Sequence, residues 1–150
     1  MEYKNDKGQP VASNYYEGTL QLRNPTKELI RAAKSLIESN RLIFIAKEAK
    51  VVNGVDFFLS SQKQMQIIAK RLQMRFGGEM KISRKLFTVK RLTSKRVYRV
   101  TVMLRLPKFK VGDVVKTRGR LIRVKQIGKK VFGVDVDTGK KITVDYKYIN

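Results

Sequence analysis

Between residues 15 and 23 the chain alternates, with Tyr16, Gly18, Leu20 and Leu22 on one side and Tyr15, Glu17, Thr19, Gln21 and Arg23 on the other. This is the period of a half-buried strand. Asn24-Pro25 reads as an N-cap followed by proline at the first helical position. Leu29, Ile30, Ala33, Leu36 and Ile37 then recur at helical spacing until Ser39-Asn40 ends the element. Apolar runs at 42–47 and 55–59 flank Asn53-Gly54, a dipeptide suited to a tight hairpin because both residues tolerate positive φ. Ser61 and Gln64 form a capping-box pair ahead of the stripe Met65, Ile68, Ala69, Leu72 and Phe76, which Gly77-Gly78 terminates. Two long alternating segments, 79–89 and 97–106, complete the order β-α-β-β-α-β-β. The fold class expected is α+β, with two helices, 25–39 and 62–76, on one face of a mostly antiparallel sheet.

The pattern changes at Pro107. Short apolar stretches at 109–115, 121–127, 131–136 and 142–144 are separated by Gly119, Gly128-Lys129 and Asp137-Thr138-Gly139. That spacing suits a small all-β barrel of five strands with no room for a helix. The expected organisation is a polar, flexible lead-in at 1–13, an α+β domain at 14–107 and a small β-barrel domain at 108–150. The linker is too short for free tumbling, so the two domains move as one body or about one hinge.

Composition narrows the class of function. With 150 residues, 42% of them hydrophobic, the chain can bury a sizeable core. No apolar run approaches the roughly 18 residues that span a bilayer, and the first residues lack the apolar segment of a signal peptide. A soluble, cytoplasmic protein is expected. Cysteine and histidine are both absent, which removes disulfides, thiol and imidazole chemistry, and the usual zinc ligands other than carboxylates.

Charge changes the picture most. The net charge is +22, and residues 79–130 carry eighteen Lys and Arg against two acids, Glu79 and Asp113. A solvated surface mixes both signs, and adaptation to heat enriches Lys together with Glu into ion-pair networks. Here the acids are missing. Such a concentration points to a polyanion, with nucleic acid the obvious one because its phosphates bind Lys and Arg by releasing condensed counterions. The candidate RNA-binding residues fall into three sets: Lys90, Arg91, Lys95 and Arg96 at a hairpin tip; Lys81, Arg84, Lys85, Arg99 and Arg105 on strands; and Lys108, Lys110, Lys116, Arg118, Arg120, Arg123, Lys125, Lys129 and Lys130 in the barrel. Tyr15 and Phe58 are the best candidates for stacking on bases. They do not form an aromatic-rich block and read equally as packing, so contacts to phosphate and to RNA shape are expected to dominate.

Catalysis finds little support. Asp137-Thr138-Gly139 has the letters of an aspartic protease loop, yet it also suits a hairpin turn in which glycine takes the awkward φ. Gly77-Gly78 ends a helix, whereas anion-binding loops open one. An RNA-cleaving site would need Asp113, Asp135 and Asp137 to converge on Mg²⁺. The expectation is a binding protein that is not an enzyme, with no cofactor and no metal site. An adaptor whose basic barrel docks an acidic protein is the alternative.

The run Tyr15-Tyr16-Glu17-Gly18-Thr19-Leu20-Gln21-Leu22-Arg23, followed by Gly54-Val55-Asp56-Phe57-Phe58-Leu59-Ser60-Ser61, Ser83-Arg84-Lys85-Leu86 and Tyr98-Arg99-Val100-Thr101-Val102, resembles the archaeal members of the nonsense-mediated-decay protein three family. The resemblance covers residue 15 to the C-terminus. Eukaryotic relatives are export adaptors clamped across the subunit-joining face of the large ribosomal subunit. The resemblance therefore implies a role in ribosome biogenesis, as a maturation or quality-control factor. It implies as partners that subunit and its ribosomal RNA, beside ribosomal proteins or other assembly factors, and no membrane. Val111-Gly112-Asp113-Val114-Val115 is similar to the start of small Src-homology-three-like barrels in translation proteins such as initiation factor five A. Family members begin with Cys-x-x-Cys zinc-binding motifs; this chain has no cysteine and lacks that region, so it reads either as a piece of a longer member or as a shortened one. Functions resting on the zinc module, and nuclear export through a leucine-rich tail, are not carried over.

Overall fold

The computed structural model describes residues 2–90 and 95–149, the side chains of residues 88–90 and 95–97 excepted. The first part of the chain runs β1 (Gly18–Arg23), α1 (Lys27–Glu38), β2 (Ile45–Val51), β3 (Gly54–Leu59), α2 (Gln62–Phe76), β4 (Glu79–Lys90) and β5 (Lys95–Arg105). This is the expected order. The strands form one sheet in the order β2-β3-β1-β5-β4. Its pairings are antiparallel except between β1 and β5, which run parallel with Leu20 opposite Val102 and Leu22 opposite Leu104.

Period-two alternation builds the core. Leu20, Leu22, Val55, Phe57, Leu59, Val100, Val102 and Leu104 point to one face. There they meet Leu29, Ala33 and Ile37 of α1 and Met65, Ile68, Ala69 and Leu72 of α2 in one buried cluster. Both helices therefore cover the same face, as the two stripes require. Gly18 lies where α2 crosses β1, and a Cβ there would lie 2.5 Å from the Met65 Cε, so the end of that side chain would have to shift. The opposite face of the sheet carries no helix.

Several local expectations shift. The N-cap of α1 is Thr26, whose hydroxyl accepts from the Leu29 N–H at 3.1 Å, and not Asn24, which turns to φ 49°. Asn24 instead donates from its amide to the Leu106 carbonyl at 3.0 Å, a distant partner that outweighs the local cap. In the β2–β3 hairpin the connecting residues are Val52 and Asn53, with Asn53 at φ 60°, and Gly54 already belongs to β3. Gly54 has to be glycine there, because a Cβ would lie 2.1 Å from the Leu22 carbonyl oxygen. Ser61 caps α2 by accepting from the Gln64 N–H, but the Gln64 side chain turns away to accept from Asn40 at 3.0 Å, so half of the capping box forms. Ahead of β1, Lys4 bridges to Pro10, Tyr3 packs on Phe44 at 4.9 Å, and Asp6 accepts from the Ser61 hydroxyl at 2.7 Å.

The remaining strands are β6 (Val114–Thr117), β7 (Arg120–Ile127), β8 (Val131–Asp135) and β9 (Lys141–Val144), a four-stranded antiparallel meander. Where five strands closing into a barrel were expected, no closed barrel forms. Residues 109–113 make a turn, in which the Asp113 carboxylate accepts from the Lys110 N–H at 2.8 Å and Gly112 takes φ 98°. The last stretch is a short 3-10 turn, Tyr146–Tyr148, and a single bridge from Ile149 to Thr117. The core is small: Val115, Ile122, Val124 and Val131, with Phe109, Ile142, Tyr146 and Ile149 packed against it.

The two sheets are pinned together at the end of α2. The Gly78 N–H is shared between the Gly128 carbonyl at 3.2 Å and the Tyr146 hydroxyl at 2.9 Å, and that hydroxyl donates to the Gly128 carbonyl. Burial raises the Tyr146 hydroxyl above its ordinary pKa, so it stays protonated and can donate. Gly77, at φ 72°, lets Ile127 approach within 2.7 Å of where a Cβ would sit.

Candidate nucleic-acid interface

The uncovered face of the five-stranded sheet is built from the alternate residues of the strands whose other side makes the core. Thr19, Gln21 and Arg23 of β1, Asp56 and Phe58 of β3, Arg99, Thr101, Met103 and Arg105 of β5, and Lys81, Ser83 and Lys85 of β4 occupy it, as the cross-strand partners Lys81–Met103, Ser83–Thr101 and Lys85–Arg99 require. Arg99 and Arg105 are six residue steps apart on β5, so the face is roughly 20 Å long.

Its electrostatics are one-sided. Among the described residues there are two ion pairs, Arg23–Asp56 at 2.7 Å and Lys34–Glu48 at 3.1 Å, and neither uses a cation of the stretch 79–130. Asp56 is thus neutralised by Arg23. Glu48 lies on the helix side of β2, and Glu17 accepts from the Tyr15 hydroxyl at 2.5 Å and from the Gln62 N–H at 3.0 Å. Tyr15, held by burial and by that carboxylate, has its pKa pushed up and does not face the open side with Phe58.

At one end of this face a row of side chains crosses all five strands. Lys47 of β2 lies with its ammonium 5.6 Å from the Phe58 ring centroid, and Phe58 of β3 meets Tyr16 edge to face at 5.1 Å. The Arg99 guanidinium of β5 sits 3.9 Å from the Tyr16 centroid on one side and 3.7 Å from the Phe87 centroid of β4 on the other. It also donates to the Tyr16 carbonyl at 3.3 Å. Contacts of this kind contribute about 0.5–1 kcal/mol each at exposed sites, enough to hold Arg99 in one place. Phe87 is a β-bulge residue, between Leu86 and Thr88 in the register, and 55% exposed.

Tyr16, Phe87 and Lys47 were not among the residues the sequence points to. Strict alternation places Tyr16 with Leu20 and Leu22 in the core; a bend at Glu17 puts its ring on the other side, against Phe58.

At the other end of the face the two sheets enclose a cleft of about 940 Å³, lined among others by Arg23, Arg105, Lys108, Asp113 and Lys147. On the second sheet, Arg118, Arg120 and Lys130 join Lys147 around a pocket of about 610 Å³. Arg118 takes φ 49° and lies 3.9 Å from the Tyr148 ring centroid. Arg123 leaves this group, since it donates to the Gly112 carbonyl at 2.9 Å and is paired opposite Val114 with Lys116 on the outer side of β6–β7. Lys110 and Lys125 line a shallow depression by Phe76, and Lys129 lies beside Met74 and Ile82. Arg84 is opposite Val100 and so on the helix side of β4, away from Lys81 and Lys85. Lys90, Arg91, Lys95 and Arg96 lie outside the described residues as side chains.

The carboxylates take structural positions. Asp135 ends β8 buried, its carboxylate accepting from the Asp137 N–H at 2.8 Å and the Thr138 N–H at 3.1 Å. Those two donors hold its carboxyl below the ordinary value. Gly139, at φ 74°, completes the turn that Asp137 and Thr138 begin. Among the described residues no group of three or more His, Cys, Asp or Glu comes together, and no helix is long and apolar enough to cross a membrane. The family model described as the second domain of NMD3 matches residues 15–106, ending just ahead of the second sheet. No curated protein matches the chain.

Proposed function

The chain belongs to the NMD3 family, and from that premise we propose that it is a ribosomal-RNA-binding module of a factor acting in maturation or quality control of the large ribosomal subunit. The family is linked to that subunit and to its biogenesis. The protein binds through phosphate backbone and RNA shape and carries out no chemistry of its own. The observation that carries this reading is that the fourteen cations of residues 79–130 whose side chains are described form no ion pair, so their charge is left for an external polyanion. Arg118 and Arg120 beside Lys130 are well suited to phosphate, because the planar guanidinium fork matches two oxygens at once.

Large-subunit ribosomal RNA titrated at several salt concentrations tests it. A steep log–log slope is expected, and replacing Lys81 and Lys85, or Arg118 and Arg120, with Ser lowers that slope by roughly one for each phosphate no longer neutralised. A second reading, a protein-docking adaptor with RNA contact secondary, is favoured by a different surface: Met74 and Ile82 are exposed beside Lys129 and Lys130. An interface built on such apolar anchors gives a shallow slope, unmoved by those four substitutions.

A further inference from the structure

The uncovered sheet face has a chemistry that a phosphate-only surface does not need. Cations alone would bind a duplex backbone, and rings alone would pack. Here the two alternate in one row, Lys47, Phe58, Tyr16, Arg99 and Phe87, contributed by all five strands or the chain leading into them. With strands about 4.8 Å apart the row is roughly 19 Å wide, room for two or three stacked bases. Phe87 ends the row half in solvent on an edge strand, where a ring serving only the fold would be covered.

We propose that this face is a stacking platform for unpaired nucleotides, a deepening that rests on the reading of the chain as an RNA binder and names the class of RNA it takes. Bases extend the stack of the aromatic row, and the Arg99 guanidinium, fixed between the Tyr16 and Phe87 rings, holds those rings in place and adds positive charge beside them. Lys81, Lys85 and Arg105 lie along the same face, within reach of the phosphates that follow the stacked bases. Thr19, Gln21, Ser83 and Thr101 lie on it as hydrogen-bonding side chains for base edges. Around the aromatic row the carboxylates are engaged, Asp56 by Arg23 and Glu17 by the Tyr15 hydroxyl and the Gln62 N–H, while Glu79, opposite Arg105, lies at the far end of the face. A duplex, whose bases stack on one another, uses the cations and leaves the row empty. Every base has a π-face, so the platform is tolerant of sequence.

The test compares three probes at equal charge: a short unpaired oligoribonucleotide, the same backbone without bases, and a duplex RNA. The unpaired strand is expected to bind about tenfold or more tighter than the base-free backbone. The variant with Phe58→Ser and Phe87→Ser is expected to lose about tenfold to a hundredfold for that strand alone, with the salt slope unchanged. Phe87→Ser, at an exposed position, carries the test by itself should Phe58→Ser weaken the fold, and Phe87→Tyr is expected to retain binding. Equal affinity for the strands with and without bases, or an unpaired-strand affinity that both serine variants leave untouched, overturns the platform. Steep salt-dependent binding to all three probes in that case leaves the broader RNA reading standing. Failure of the wild-type protein to bind any of them overturns both.

Discussion

Two faces of one sheet, made by alternate residues of the same strands, behave as different materials. On the covered face Leu20, Phe57, Val102 and their neighbours are sealed under two helices, and the buried side chains there are aliphatic or aromatic, with Glu48 and Arg84 only at its outer strands. On the open face the next residue along each strand is mostly polar, charged or a ring. The first face holds the fold together through burial, and the second is left free of that duty. A cation there needs no internal partner, which is why the 79–130 stretch can be so one-sided in charge without disturbing the core. The four-stranded sheet lacks this division. Its four buried residues make a thin core, and it leans on the larger unit through Gly78, Gly128 and Tyr146.

The contrast between the faces can be broken most directly at Phe57. Phe57→Ala removes a fully buried ring and is expected to cost about 3–5 kcal/mol, read from urea unfolding. RNA affinity per folded molecule should stay as it is, and a loss of affinity without unfolding would show that the faces are not independent. A smaller effect is expected at the pin between the sheets. Tyr146→Phe deletes a hydroxyl that accepts from Gly78 and donates to Gly128, and should cost about 1 kcal/mol because the direct Gly78–Gly128 bond at 3.2 Å remains. Faster amide exchange at Gly78 and through β7–β8, with α2 unchanged, is the signature sought; uniform change throughout would mean that the two sheets unfold as one unit.

The smallest effect lies at Asp135 and appears only in acid. Its folded pKa is lowered below the ordinary 3.8 by the Thr138 and Asp137 N–H groups. The stabilisation is therefore complete above that value and is lost as pH falls through the folded pKa. Asp135→Asn keeps an acceptor but not the charge, so the variant should melt lower than wild type at neutral pH, with the gap closing in strong acid. A gap independent of pH would remove the carboxylate from the account.

Much of this was readable along the chain. The order of elements, both helical stripes, the Ser61 cap, the Gly77 stop and the position of the unbalanced charge depend on residues a few places apart, and local periodicity and composition report those interactions directly. Other features turn on partners far away in sequence. Asn24 leaves the helix cap because Leu106 offers a carbonyl 82 residues on. Tyr16 leaves the core side because one bend at Glu17 reverses its direction, and no period announces a bend. The stretch expected to be a strand from 109 begins only at Val114, because Asp113 closes a turn on Lys110, and the chain end adds only a single bridge from Ile149 to Thr117. The row from Lys47 to Phe87 exists only because β2, β3, β1, β5 and β4 lie side by side in that order. Alternation could place each of its strand residues on a face, but which rings and which cations meet across strands is a matter of sheet order and register. Those are set by the packing of the whole chain, through contacts between residues too distant in sequence for local pattern to record.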